Sequence, residues 1–189
     1  MPPKSFPYPF KVGIDICRIP RIKSIISQPY ATPQHQALPR FLCKLLTWPE
    51  QQFFWHRFGS HEKVMKDIDK VCEYLAGRWA AKEACRKACT HLGSTNGLHH
   101  IIILPISLTV QGEAHSRIPQ GLILREVLPA LGNGLAQPNG PSFDINSVEG
   151  QLCEVSITHD DGIAAAVALV PIMDTVDAKT EVRQSDVDP

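Results

Sequence analysis

Two carboxylates and a lysine are the residues of this sequence whose types and spacing could support metal-dependent chemistry. Asp15 lies in an alternating apolar segment typical of a strand, and Glu83 and Lys87 lie four residues apart in a helical segment. Residues at this spacing share one helix face, where a Glu followed by a Lys is also an ordinary surface pair. Taken together, a strand carboxylate, a helix carboxylate and a neighbouring lysine suit an oxygen-liganded Mg²⁺ that also binds a diphosphate.

The strand that carries Asp15 is predicted at residues 11–17. Its apolar residues alternate, as in a half-buried strand: Val12, Ile14 and Ile16. We expect these three side chains to face the core and Asp15 to project from the opposite face.

The helix that carries Glu83 and Lys87 is predicted from about Asp67 to His91. Small residues recur at every fourth position along it, namely Cys72, Ala76, Ala80, Ala84 and Ala88. Such a row would allow another helix or a sheet to approach closely.

Other elements follow from local signals. Helices are predicted at about 18–27, from near 39–41, and at about 47–58, where Thr47 and Glu50 fit a capping box; 59–66 is interpreted as a linker. Strands are predicted at 100–106, 107–110, 153–157 and 163–170, with a turn at 159–162. Residues 112–150 are interpreted as a surface insertion and 174–189 as a disordered tail, so 1–173 form one domain.

The composition argues against several classes of protein. The 189 residues carry 19 basic and 19 acidic side chains, which gives no electrostatic reason to expect a nucleic-acid partner. Six scattered cysteines without a CxxC pair favour free thiols over a zinc site. The apolar runs are too short for a membrane span. The first ten residues lack a secretory signal, which leaves the cytoplasm and the mitochondrial matrix as expected compartments.

Four ordered blocks resemble the motifs of holo-acyl-carrier-protein synthases. They are GIDICRIPRI at 13–22, RFLCKLLTWPE at 40–50, YLAGRWAAKEACRKA at 74–88 and VSITHDDGIAAAVALV at 155–170. The resemblance implies an α+β fold, in which a small antiparallel sheet packs on a long helix, and a homotrimer with active sites between subunits.

The resemblance also implies roles for individual residues. Asp15 and Glu83 match the two protein ligands of Mg²⁺, and Lys87 matches a lysine that stabilises charge at the coenzyme A phosphates. Arg78, Lys82 and His159 match positions near coenzyme A, which Lys87 also contacts. Arg21 matches an arginine that meets the acidic carrier protein, and Arg40 and Arg18 are further docking candidates.

The implied reaction moves 4′-phosphopantetheine from coenzyme A to a serine of an apo-acyl-carrier protein and releases adenosine 3′,5′-bisphosphate. The base that removes the serine proton is either Glu83 or a metal-bound water. A carrier in mitochondrial fatty-acid synthesis is one expected partner. Two alternatives remain at this point: a non-catalytic module that binds coenzyme A or a carrier protein, and a metal-dependent nucleotide phosphohydrolase.

Overall fold

The computed structural model of this chain describes residues 8–27, 37–89, 97–105, 118–129 and 142–172. Within these ranges the strands are β1 (Phe10–Arg18), β2 (Ile101–Pro105), β3 (Pro119–Leu124), β4 (Gly150–Asp160) and β5 (Ile163–Pro171). The helices are α1 (Ile19–Ile26), α2 (Ala37–Leu45), α3 (Trp48–Phe58), α4 (His61–Lys66) and α5 (Ile68–Ala88). The predicted strand at 107–110 and the predicted tail at 174–189 lie outside the described residues.

The five strands form one antiparallel sheet in the order β1-β5-β4-β3-β2. The β4–β5 hairpin turns at Asp161 and Gly162, whose φ angles are 43° and 75°. An Asp-Gly pair readily adopts positive φ at both positions, which is the geometry of a tight hairpin turn. The predicted turn at 159–162 and the predicted α+β class are both confirmed.

The long helix α5 packs across the inner face of the sheet, mainly on β1 and β5. Its predicted row of small residues is buried, with Cys72, Ala76, Ala80, Ala84 and Ala88 at most 1% exposed. Opposite this row, β5 contributes further small residues, including the buried Ala164, Ala166 and Ala168. Small side chains on both surfaces let the helix backbone lie close to the sheet.

The predicted orientation of β1 is wrong. Val12, Ile14 and Ile16 are 62%, 60% and 64% exposed, whereas Gly13 is buried and the Asp15 side chain faces α5. A Cβ atom at Gly13 would collide with the carbonyl oxygen of Ala84, so a glycine is required where β1 meets the helix. The inner face of β1 is therefore its small and polar face.

The capping-box prediction for α3 is confirmed. The Thr47 side chain accepts from the backbone at Glu50, and the backbone N–H of Thr47 donates to the Glu50 carboxylate. The linker prediction at 59–66 is wrong, because α4 occupies His61–Lys66 and buries Val64.

The outer face of the sheet carries a second apolar cluster at β2 and β3. Ile102, Leu122 and Leu124 are buried there, and Phe143, Ile145 and Val148 of the segment 142–148 pack over them. The predicted surface insertion at 112–150 is therefore wrong for two of its parts. Residues 119–124 form β3, an internal strand, and 142–148 cover one half of the outer face.

The other half of the outer face, at β1 and β5, is exposed. Its apolar residues, which we call the outer apolar patch, are Val12, Ile14, Ile16, Ile163, Val167 and Leu169. The strand register sets Val12 opposite Leu169 and Ile14 opposite Val167, so the side chains form a continuous surface.

Candidate active site

Asp15 and Lys87 meet where β1 crosses the C-terminal half of α5. Lys87 Nζ donates to Asp15 Oδ1 at 2.7 Å and to the Ile14 carbonyl oxygen at 3.0 Å. Glu83 lies one helical turn before Lys87 and accepts from Arg86 Nη2 at 2.8 Å. The structure therefore brings Asp15 and Lys87 into contact at a junction of strand and helix, with Glu83 one helical turn away on α5.

The two carboxylates are well suited to a hard cation. The Asp15 and Glu83 side chains are each 16% exposed, so both are reachable yet partly shielded from water. The described hydrogen bonds engage one oxygen of each carboxylate, Asp15 Oδ1 and Glu83 Oε2, which leaves the second oxygen as a possible ligand.

Within the described ranges, no three His, Cys, Asp or Glu side chains cluster closely enough to hold a metal alone. Mg²⁺ is commonly held by one or two carboxylates together with substrate phosphates and water. Asp15 and Glu83 therefore fit Mg²⁺, provided that a phosphorylated substrate supplies the remaining oxygens.

A cavity of about 710 Å³ lies between α3, the N-terminal half of α5 and the ends of β2, β3 and β4. Its volume is in the range of small-molecule sites, about 300–1,000 Å³. It is lined by Arg57, Lys70, Arg78, His159, Asp67, Glu73, Phe53, Phe58, Tyr74, Gly77, Pro105, Pro119 and Ile157. Arg78 and His159, both predicted near coenzyme A, are thus brought to one cavity.

Arg78 is held by an aromatic side chain. It is 7% exposed, and its guanidinium carbon lies 4.6 Å from the centroid of the Tyr74 ring. Arg57 lies 5.4 Å from the same ring and 5.5 Å from that of Phe58. Cation–π stacking orients both guanidinium groups at the cavity wall. Burial raises the pKa of Tyr74, and the charge of Arg78 opposes this shift.

The sheet connects the cavity to the carboxylates. Asp15 pairs with Ala166 on β5, which pairs with Ile157 on β4, so all three lie in one row across the strands. Neighbouring strands are about 4.8 Å apart, which places the Asp15 backbone ~10 Å from that of Ile157 at the cavity. Ala166, between them, is buried beneath α5.

Residues 11–121, more than half of the chain, match the family model of the 4′-phosphopantetheinyl transferase superfamily. The chain belongs to this superfamily. The family predicted from the four sequence blocks is confirmed, and the match spans Asp15, Arg78, Glu83 and Lys87.

Two relatives align with more than four-fifths of this chain. The mitochondrial 4′-phosphopantetheinyl transferase B of Aspergillus fumigatus is 29% identical over 172 residues, which are 87% of this chain and 95% of the relative. A holo-[acyl-carrier-protein] synthase of Wolinella succinogenes is 31% identical over 157 residues, 82% and 92% of the two chains. The crystal structure of Helicobacter pylori holo-[acyl-carrier-protein] synthase in complex with coenzyme A matches with 22% identity, covers 84% and 98%, and has a TM-score of 0.46. At these values the structural likeness adds nothing to the sequence match.

Lys82 lies away from the surface in this superfamily member. Its side chain is 0% exposed, and its Nζ lies 2.6 Å from Glu50 Oε2 and 3.0 Å from the Leu98 carbonyl oxygen. Burial lowers the pKa of Lys82, and the Glu50 carboxylate opposes this shift. A fully buried, paired ammonium is not presented to a ligand, so this geometry gives no support to the predicted contact between Lys82 and coenzyme A.

The predicted docking arginines are all exposed. Arg18 ends β1, Arg21 lies on α1, and Arg40 lies on α2. The Arg21 guanidinium carbon lies 5.4 Å from the centroid of the Trp79 ring, which also stacks on Phe41 at 6.2 Å. The Arg21 guanidinium therefore lies against Trp79 of α5, which directly follows Arg78.

Three residues at or near the site were not predicted from the sequence. Arg57 and Lys70 line the cavity, and Glu50 is the buried partner of Lys82. The capping box located Glu50 at the start of α3 but could not show that its carboxylate reaches α5. Arg57 had no local signal, because its contact with Tyr74 joins two separate helices.

Among the described residues, no helix is both long and apolar enough to cross a membrane.

Proposed function

We propose that this protein transfers 4′-phosphopantetheine from coenzyme A to a serine of an apo-acyl-carrier protein. The observation that carries the proposal is the junction of Asp15, Glu83 and Lys87 inside the region that matches the transferase superfamily. Relatives along most of the chain are named 4′-phosphopantetheinyl transferase and holo-[acyl-carrier-protein] synthase.

In this mechanism the serine oxygen attacks the β-phosphorus of coenzyme A. The bond from that phosphorus to the bridging oxygen breaks, and adenosine 3′,5′-bisphosphate leaves. Lys87, held by Asp15 at 2.7 Å, places a positive charge beside the diphosphate as negative charge develops on the leaving group. The serine proton passes to Glu83 or to water.

Asp15 and Glu83 would hold Mg²⁺, which when bound neutralises charge on the diphosphate. Both carboxylates are partly shielded, which strengthens their attraction for a cation relative to open solvent.

The cavity is proposed to hold the phosphorylated nucleotide end of coenzyme A. Arg57, Lys70, Arg78 and His159 supply cationic or hydrogen-bonding groups for phosphate oxygens, and aromatic side chains supply apolar contact. Arg78 needs little reorganisation to bind a phosphate because Tyr74 already orients its guanidinium. Arg57 and Lys70 thereby join the predicted Arg78 and His159, whereas Lys82 does not take part.

Carrier docking is proposed for the exposed arginines at the edge of α1 and α2. Arg18, Arg21 and Arg40 are exposed, and their positive charges complement an acidic carrier helix. A carrier of fatty-acid synthesis in the mitochondrial matrix is the proposed partner. The name of the Aspergillus relative, a mitochondrial transferase, supports this compartment.

The assembly is proposed to be a homotrimer. The outer apolar patch supports association between copies, because contiguous exposed apolar surfaces of this kind mark interfaces. Symmetric association of identical chains would bury the patch of every copy.

Mass spectrometry of a purified apo-carrier tests the transfer. Incubation with coenzyme A, Mg²⁺ and wild-type protein should add one phosphopantetheine group to the carrier serine. Asp15→Asn and Glu83→Gln should reduce the rate on the order of 10²-fold or more, because each removes a carboxylate charge from the proposed metal site. Glu62→Gln, a change to an exposed residue of α4, is the matched control and should transfer normally. An unmodified carrier after incubation with wild type would refute the transfer.

A further inference from the structure

Glu50 and Lys82 form a fully buried ion pair at the junction of α3, α5 and β2. Both side chains are 0% exposed, and Lys82 Nζ lies 2.6 Å from Glu50 Oε2. Glu50 also accepts hydrogen bonds from the Thr47 backbone N–H and hydroxyl, both at 2.7 Å, and from the Ile103 N–H at 3.0 Å. Lys82 donates a second bond to the Leu98 carbonyl oxygen at 3.0 Å. One pair thus connects α5 to α3, to β2 and to Leu98, which precedes β2.

Stability alone is a poor reason to bury such a pair. Desolvation of two charges offsets most of their attraction, and well-packed apolar residues of similar size commonly give an equally stable fold. A buried ion pair does, however, supply directed bonds that only one arrangement of the surrounding elements satisfies.

The packing of α5 leaves a need for such directed bonds. Its inner face is a row of small residues, with Ala76, Ala80 and Ala84 all fully buried against the sheet. Small side chains interdigitate little, so they resist rotation or sliding of the helix less than large ones do. The Lys82 bonds supply directed contacts from α5 to Glu50 on α3, which in turn accepts from β2.

The residues proposed to bind substrate extend from α5 next to Lys82. Arg78 precedes it by about one helical turn and lines the cavity, Glu83 follows it directly, and Lys87 lies one turn further on. A small rotation of α5 would move all three relative to Asp15 on β1.

We propose that the Glu50–Lys82 pair is a positioning device that sets the register of α5 and thereby aligns Arg78, Glu83 and Lys87 with Asp15. The inference rests on the proposed transferase function. It assigns Lys82 and Glu50 as positioning residues that act through α5 and touch neither substrate.

The test compares wild type with the double variant Glu50→Gln/Lys82→Met, which removes both charges and keeps the side-chain sizes. We expect the double variant to fold and to unfold cooperatively on heating. Its kcat should fall on the order of 10²-fold, as for a displacement of about 1 Å at a reacting centre. KM for the carrier should change less than kcat, because the docking arginines lie on β1, α1 and α2, even though Arg21 stacks on Trp79 of α5. Coenzyme A binding without carrier should weaken, and amide hydrogen exchange should rise along 78–88 of α5.

The control is Asp69→Asn, which breaks an exposed ion pair of similar length between α1 and α5. Lys23 Nζ lies 2.7 Å from Asp69 Oδ1, with the two side chains 49% and 77% exposed. This variant should match wild type in kcat, coenzyme A binding and exchange along α5.

Two results would overturn the positioning role. A folded double variant with wild-type kcat and exchange would show that the pair aligns nothing. A double variant that does not fold would make the pair a stability element instead. Failure of the proposed function is separate, because wild type itself would then leave the carrier unmodified; exchange along α5 would still decide whether the pair fixes the helix.

Discussion

The two halves of the sheet's outer face are both apolar, but among the residues that the structure describes only one half is covered by a segment of the chain. At β2 and β3, Ile102, Leu122 and Leu124 are at most 3% exposed beneath the segment 142–148. At β1 and β5, the outer apolar patch is 39–64% exposed. The comparison shows that strand alternation specifies an apolar face without specifying whether the same chain or another copy covers it.

A polar row on β4 separates the two halves. Glu154, Ser156 and Thr158 are exposed on the outer face between the covered cluster and the patch. Substitutions in one half should therefore act on folding, and substitutions in the other should act on association.

The largest effect is expected from Val167→Asp in the outer apolar patch. An unpaired charge in an interface should weaken association by ~3–5 kcal/mol, a factor of roughly 150 to 5,000 in the dissociation constant. Sedimentation velocity should show a trimer for wild type and a monomer for the variant, with transferase activity lost in parallel. Met65→Asp, at a 43% exposed position on α4, should remain trimeric and active. A monomeric, active wild-type protein would contradict the proposed role of the patch.

A smaller effect, on folding alone, is expected from Leu124→Ala in the covered half. Leu124 is 1% exposed, and its truncation should leave a cavity that costs ~2–5 kcal/mol of unfolding free energy. Urea unfolding measures this loss, which should leave the trimer intact in the absence of denaturant. Unfolding at the wild-type urea concentration would show that the cluster contributes little to the fold.

Phe143→Ala, in the segment that packs over the same cluster, should lower the free energy of unfolding by less than Leu124→Ala does. Phe143 is half-buried and meets the Trp48 ring edge-on at a centroid distance of 5.7 Å. Loss of the aromatic contact and of part of the buried area should cost ~1–2 kcal/mol. The same urea titration, followed by tryptophan fluorescence, checks the value; an effect as large as that of Leu124→Ala would contradict the ranking.

The smallest effect is expected on the reactivity of the cysteines in the core between α5 and the inner face of the sheet. Burial raises the pKa of Cys89 to about 12 and that of Cys72 to about 11, so at pH 8 both thiols are protonated and slow to react. The exposed Cys43 should be alkylated first in every variant. Val167→Asp should leave Cys89 protected, whereas Leu124→Ala should speed its labelling. Equal labelling of Cys89 in the two variants would mean that the halves are not independent.

Local signals predicted much of the fold. The Thr47–Glu50 capping box, the alanine row of α5 and the Asp-Gly turn each depend on neighbours in sequence, and each is confirmed. The orientation of β1 depended on a distant contact. Gly13 must face Ala84 of α5, and alternation alone could not distinguish this face from the apolar one.

The site was predicted unevenly for the same reason. Asp15, Glu83 and Lys87 follow from motifs, and the structure bonds Lys87 to Asp15 with Glu83 one turn earlier on α5. The burial of Lys82 depends on Glu50, which lies 32 positions earlier, and the place of Arg57 depends on Tyr74. Neither contact leaves a pattern within one segment of the sequence.

The most direct test of the transferase proposal is the release of adenosine 3′,5′-bisphosphate, measured with and without an acceptor. Wild-type protein, coenzyme A and Mg²⁺ should release one bisphosphate for each carrier modified. Release should be absent without carrier, or with a carrier whose acceptor serine is changed to alanine. Release without an acceptor would contradict the account in favour of a phosphohydrolase. No release with any carrier, while coenzyme A still binds, would contradict it in favour of a binding module.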